Sequence, residues 1–356
     1  MHIYRFVVFA AVFALPAAAH AAPGDTTGPT PSFNGSVYAI AQLGDTVYVG
    51  GAFTTATARG RTYPRDRLAA FDATSGRLLT WAPRADDTVR ALAVAGSSVY
   101  VAGDFAPHLT AVDADTGEPD PDFTHDLDGR PRALAVGDGR LYLAGAFTTV
   151  DGRDHPRLAA FSLADGELDD DWTPATDHTV NSLAYADDRV YLGGDFKLRL
   201  TAVDAVTGER DTDFRPEPPA VVNAVTADDD GVYAAMGGVG GRAASFTRTG
   251  RTRWTRYFDG DVQAIAVLDG TAYVGGHFDR ACTTGRTGPH GYCTDGSVPR
   301  VKLAAVDPDG ELTGWAPQAN GVAGVRVLTA DQGTLAAGGD FTTIGGHDQL
   351  RCAIFR

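Results

Sequence analysis

Asp87 to Asp128 reads DTVRALAVAGSSVYVAGDFAPHLTAVDADTGEPDPDFTHDLD. Three short apolar runs stand out: Val89–Val94, Val99–Gly103 and Leu109–Val112. A weaker fourth run ends at Phe123. Between them lie Ala95-Gly96-Ser97-Ser98, Ala106-Pro107-His108 and Asp113-Ala114-Asp115-Thr116-Gly117. Such Gly, Asp, Ser and Pro clusters supply positive φ or side-chain-to-backbone bonds, so they read as turns. Four strands joined by tight turns make one antiparallel sheet. A single sheet of this size cannot bury both of its faces, so it needs copies of itself.

The copies are present. The first begins at Val37-Tyr38-Ala39-Ile40, the third at Pro131-Arg132-Ala133-Leu134 and the fourth at Val180-Asn181-Ser182-Leu183. The fifth begins at Val222-Asn223-Ala224-Val225, the sixth at Val262-Gln263-Ala264-Ile265 and the seventh at Val325-Arg326-Val327-Leu328. Each goes on to a run such as Val47-Tyr48-Val49-Gly50-Gly51-Ala52-Phe53 and then one such as Arg67-Leu68-Ala69-Ala70-Phe71-Asp72. A Trp or Phe ending follows, for example Trp81-Ala82-Pro83. The fifth copy lacks the Phe after Gly237-Gly238.

The seventh copy stops at Phe355-Arg356 without a fourth strand, whereas Ser32-Phe33 ahead of the first copy matches a fourth-strand ending. The expectation is an all-β, seven-bladed β-propeller of four-stranded antiparallel blades, closed by an N-terminal strand that completes the last blade. Tyr in strand two is expected between blades, and the Gly-Gly pair where backbones approach closely. Trp81, Trp172, Trp254 and Trp315 read as outer packing residues.

The recurring pattern V-x-A-L-A-V, V-Y-V-G-G-x-F-T, R-L-A-A-F-D-x-x-T-G and W-x-P resembles the delta-60 repeat family of secreted bacterial β-propeller proteins. The resemblance covers essentially everything after residue 32. It implies propeller architecture and export, and it carries no catalytic motif that maps onto this chain.

Met1 to Ala21 reads as a signal peptide: Arg5 starts it, Phe6 to Leu15 is its apolar run, and Ala19-His20-Ala21 is a small-x-small cleavage site. Residues 22–31 read as a flexible leader and 32–356 as the propeller domain. No later apolar run is long enough to span a membrane. The formal charge is −15 and the chain is expected to carry no Lys/Arg cluster, which disfavours nucleic acid and anionic lipid as partners. Cys282 and Cys293 flank a Gly/Thr-rich loop and are expected to pair, while Cys352 sits in an apolar run as a small hydrophobe.

Strand one lines the channel of a propeller, so the polar residue after its first Val gathers at the channel mouth. These residues are Tyr38, Arg90, Arg132, Asn181, Asn223 and Gln263. Guanidiniums beside amides suit a carboxylate or a sugar; alternatively they bond Asp-rich turns such as Asp86, Asp87, Asp128, Asp177, Asp259 and Asp261. The position before the strand-two Phe alternates between Ala52, Asp104, Ala146, Asp195, His277 and Asp340. Asp104, Asp195, Asp340 and His277 are candidate acids and bases; the plainer reading has the carboxylates capping backbone N–H groups. Loops Thr54–Arg65, Asp279–Arg300 and Thr342–Gln349 are long and would form a lobe carrying Tyr63, Tyr292, His290 and His347, with Tyr63 and Tyr292 placed to stack on sugars.

The sequence thus points to a secreted, monomeric binding protein with an extracellular glycan, peptide or protein partner. The alternative is a hydrolase or lyase acting on a saccharide at the channel mouth. No metal site is expected; calcium is the one cofactor that the dense acidic positions would suit.

Overall fold

The computed structural model describes residues 22–356; Met1–Ala21, the expected signal segment, lie outside them. The described residues form strands and turns with no helix. Each unit runs outward from an inner strand. In the second unit Val89–Ala95 pairs antiparallel with Ser98–Gly103, which pairs with Leu109–Asp113, which pairs with Pro119–His125. The first unit repeats this order with Val37–Leu43, Thr46–Gly51 and Leu68–Asp72. The third, fourth, sixth and seventh follow from Pro131–Gly137, Val180–Ala186, Val262–Leu268 and Val325–Asp331.

The expected fourth strand is full only in the second unit and in the fifth, as Thr252–Phe258. Elsewhere it shrinks to single bridges, Phe71 to Leu78, Phe161 to Leu168, Val203 to Arg210 and Val306 to Leu312.

The leader is not a loose tail. Gly24 and Gly28 donate backbone N–H bonds to the carbonyls of Arg356 (2.9 Å) and Ile354 (2.8 Å), and Thr27 bridges Phe355. Residues 24–28 thus stand beside the last strand of the seventh unit, where Ser32-Phe33 had been expected. Ser32–Phe33 pairs with Thr55–Ala58 of the first unit and still meets the terminal run at its start, the Phe33 N–H donating to the Leu350 carbonyl at 3.3 Å. The fit follows from composition: Thr and Gly pair freely, and Pro29 and Pro31 then turn the chain away.

Contacts between units repeat. The first glycine of the Gly-Gly pair receives a valine from the next inner strand. A Cβ at Gly50 would meet Val89 at 2.4 Å, at Gly193 Val222 at 2.5 Å, and at Gly275 Val325 at 2.5 Å. Gly338 of the seventh unit stands in the same relation to Val37 of the first, at 2.6 Å. The second glycine of the pair lies against backbone, as expected for a close approach: a Cβ at Gly51 would meet the Ser36 carbonyl oxygen at 2.1 Å.

The strand-two tyrosines sit between units, as expected. Tyr48 and Tyr142 are buried and donate their hydroxyls to the Ala114 and Ala205 carbonyls of the next unit at 2.9 and 3.0 Å. The tryptophans also lie between units rather than on the outside. Trp81 and Trp172 donate their indole N–H to Asp113 and Asp204 carbonyls of the following unit. The strand-three hairpins follow the Asp-and-Gly logic: Asp113 Oδ1 accepts the Thr116 N–H at 2.7 Å and Gly117 has φ 78°.

Candidate functional site: the channel mouth

The seven inner strands converge on one cavity of about 390 Å³. Every sequence-assigned residue of that set lines it: Tyr38, Arg90, Arg132, Asn181, Asn223 and Gln263. Arg326 joins them. It was missed although it occupies the same slot after Val325; the signal was the repeat register itself.

The lining is asymmetric. Tyr38 stands within cation–π range of two guanidiniums, those of Arg90 and Arg326 at 5.8 and 5.4 Å from its ring centroid. Arg132 stands next in order. On the far side are amides, of which two are tethered: Asn181 donates to the Val222 carbonyl at 3.1 Å and Asn223 to the Val262 carbonyl at 2.9 Å. The cavity lining holds no Asp, Glu or His.

Arg90 is fixed by Asp104, with Nε 2.7 Å from Oδ1 and 2.8 Å from Oδ2. This hydrogen-bonded pairing raises the Arg90 pKa despite its partial burial. Asp104 also takes Arg130 Nε at 2.9 Å. Burial alone would raise the Asp104 pKa, but Arg90 and Arg130 together overcome it and hold the carboxyl below its ordinary range. Arg132 has no carboxylate partner among the described residues, and the surrounding protein, then the Arg130 and Arg90 charges, lower its pKa. Arg326 Nε is buried and lacks a hydrogen-bond partner. The mouth is therefore under-neutralised: three lining guanidiniums face one carboxylate that is already shared with Arg130.

The remaining acid–base candidates are not gathered there. Asp195 is exposed and faces His178 at 3.5 Å. Asp340 Oδ2 accepts the Ala323 N–H at 3.2 Å, a backbone cap, while its Oδ1 is buried without a partner. His277 is exposed and outside the cavity lining. The Asx residues entering each unit do not bond the arginines, as one reading had it. They cap the loop after strand two: Asn34 Oδ1 accepts the Thr54 and Thr55 N–H groups, Asp259 Oδ1 those of Asp279 and Arg280, and Asn320 Oδ1 those of Thr342 and Thr343.

The lobe aromatics also stand apart. Tyr63 lines a separate groove with Arg59, Arg61, Arg65 and Arg77, a basic patch three of whose members fall within residues 59–65; this corrects the expectation that the chain carries no Lys/Arg cluster. Tyr292 is exposed on the loop closed by the Cys282–Cys293 disulfide and does not reach the cavity. Among the described residues, no group of three or more His, Cys, Asp or Glu is placed to hold a metal ion. No helix among them is long and apolar enough to cross a membrane.

No family model matches the chain, and no curated protein matches it. Solved structures do. The WD40 repeats of RRP9 align with TM-score 0.68 at 11% identity, covering 94% of this chain and 99% of that one. The WD40 β-propeller domain of Doa1 aligns with TM-score 0.61 at 11% identity, covering 93% and 97%. BamB from Moraxella catarrhalis gives 0.54 at 16% identity, again covering 93% and 97%. At these identities the likeness speaks for the fold alone, and the fold is a β-propeller.

Proposed function

We propose that the chain is a secreted binding protein of the delta-60 repeat kind, monomeric, whose channel mouth captures a carboxylate-bearing saccharide. In this reading seven units close into a ring. The Gly338–Val37 contact and the bonds from residues 24–28 to the last strand support closure. The signal-like Met1–Ala21 and the Cys282–Cys293 disulfide support export to an oxidising compartment.

One observation carries the ligand class. Arg90, Arg132 and Arg326 share a single cavity with Tyr38 and three amide side chains, in a chain of net charge −15. Guanidiniums bind carboxylate through paired N–H donors, amides bind sugar hydroxyls, and a tyrosine ring stacks on a pyranose face. Asp86, Asp87, Asp128, Asp177, Asp259 and Asp261 also stand at the mouth end, where each accepts a backbone N–H. Asp45, Asp138, Asp187, Asp188, Asp269 and Asp331 sit at the strand-one-to-two turns, at the opposite end of the inner strands. The lining guanidiniums thus select an anion at contact range rather than by long-range steering.

The experiment is a thermal-shift panel of uronic acids, neutral sugars and simple carboxylates on the mature chain and on Arg132→Gln/Arg326→Gln. Uronates are expected to raise the melting temperature of the wild type and not of the double variant. An equal rise with neutral sugars, or an undiminished rise in the double variant, overturns the reading.

A further inference from the structure

Four units carry a long loop after strand two, and each uses it in the same way. The loop forms a hairpin whose small aliphatic residue covers the outer end of the unit. Ala56 joins Phe33, Phe53 and Phe71 in one apolar cluster. Val150 joins Leu127, Phe147 and Phe161. Ala281 joins Phe258, Phe278 and Val306, and Ile344 joins Ala319, Phe341 and Phe355. The backbone pairs as well: Phe33 with Ala56, Leu127 with Val150, Phe258 with Ala281 and Ala319 with Ile344, all antiparallel. In three of these units the residue after the covered one donates its N–H to the hairpin: Asn34 to Thr55, Asp259 to Arg280 and Asn320 to Thr343.

The second and fourth units have the same seat and no hairpin; in the second, Ala85, Phe105 and Val112 line a groove where Pro107 stands in place of an exposed aliphatic side chain, so the fourth is the candidate. Its loop is only Lys197-Leu198 before Arg199 turns into strand three. The counterparts of the three seat positions, Thr176, Phe196 and Val203, line a groove of about 600 Å³; Phe196 and Val203 are themselves buried, so the apolar surface the groove still offers is that of Leu198. Leu198 stands in that groove 43% exposed. Asp177, the counterpart of Asn34, Asp259 and Asn320, has no backbone acceptor for its N–H among the described residues.

We propose that this groove is a docking site for an extended peptide of a partner protein, which pairs with Thr176-Asp177 as an added strand and sets a small aliphatic side chain against Leu198. The occupant's chemistry is set by the chain's own four examples: Thr55-Ala56-Thr57, Thr149-Val150, Arg280-Ala281-Cys282 and Thr343-Ile344 are extended and put a small aliphatic side chain, Ala56, Val150, Ala281 or Ile344, on the covered face. Main-chain bonds supply affinity and the side-chain seat supplies selectivity, the mode of strand addition at a sheet edge. A second copy of this chain is not the occupant, because Ala56, Val150, Ala281 and Ile344 are already buried in their own units. The inference is independent of the channel mouth.

The test uses the full mature chain and a fluorescent synthetic hairpin with the sequence of residues 342–349, beside the same peptide carrying Ile344→Asp. Saturable binding is expected, with slowed hydrogen exchange at the Asp177 amide. The Asp peptide should bind at least about tenfold more weakly, since a carboxylate replaces the apolar side chain in the groove. Two variants locate the site: Leu198→Asp, and a graft that replaces Lys197-Leu198 with the 342–349 sequence and fills the seat in cis. Both should lose binding, and the graft should melt no lower than the wild type. If the graft does not fold, Leu198→Asp alone decides. No saturable binding at millimolar peptide, equal binding of the two peptides, undiminished binding by Leu198→Asp, or self-association of the chain without peptide would each overturn the proposal.

Discussion

Trp315 donates its indole N–H to the carbonyl of Gly24 at 3.2 Å, across almost the whole length of the chain. Trp81 and Trp172 make the same bond to the end of strand three in the unit that follows them. After Trp315 the next unit ends at Arg356, and the leader supplies the acceptor. Removing residues 22–30 would therefore cost more than a tail should. It would delete the Gly24, Gly28 and Thr30 bonds to the last strand as well as the Trp315 acceptor, each contributing about 1 kcal/mol. A stability loss of about 4 kcal/mol in urea unfolding is expected. A truncated chain as stable as the full one would show the leader to be idle.

Glycine positions give a matched comparison. Gly50→Ala and Gly275→Ala each push a methyl against a valine of the next unit, and Gly338→Ala does so across the first and seventh units. Overpacking of this kind costs about 1–3 kcal/mol. The three variants should lose similar stability in denaturant titration. A neutral Gly338→Ala beside two costly partners would mean that the first and seventh units do not pack as the others do.

Cys352 is fully buried, and burial pushes its thiol pKa up to about 12. Only the thiolate reacts readily, so the native protein should resist a maleimide at neutral pH. One thiol per chain should label after denaturation without reductant, because Cys282 and Cys293 are joined. Rapid labelling of the folded chain would contradict this burial.

Asp104 should make stability depend on acid. Its carboxyl is held below the ordinary range against the effect of burial by Arg90 and Arg130. A depressed folded-state pKa adds stability above the unfolded value of roughly 4, and that stability fades as pH falls through the folded-state value. Asp104→Asn should cost about 2 kcal/mol near neutrality and markedly less in strong acid. Chemical unfolding at both pH values checks it, and an equal cost at both would remove the ion pair as the cause.

The architecture was legible because Val, Tyr, Gly-Gly and Asp-x-x-Thr-Gly each answer a local need that recurs in register. The channel-lining set was legible for the same reason: one slot in each copy becomes one ring of side chains. What the sequence hid were relations between segments. Thr27 and Ser32 are both plausible edge residues, and only the path set by Pro29 and Pro31 decides which meets Phe355. Asp104 and Asp195 look alike in their repeats, yet Arg130 stands beside only the first, and no periodicity announces that. Arg59, Arg61 and Arg65 are close in sequence but Arg77 is not, and the hairpin that carries the first two folds back to bring all four together.

Calorimetric titration of a trigalacturonate into the mature chain, beside a neutral trisaccharide and at low and high salt, tests the guanidinium-lined mouth most directly. Saturable binding of the acid alone is expected, weakened by salt and by about tenfold in Arg132→Gln, the loss of one charged hydrogen bond. Equal affinity for the neutral sugar, or an Arg132→Gln variant that binds as well as the wild type, would contradict it.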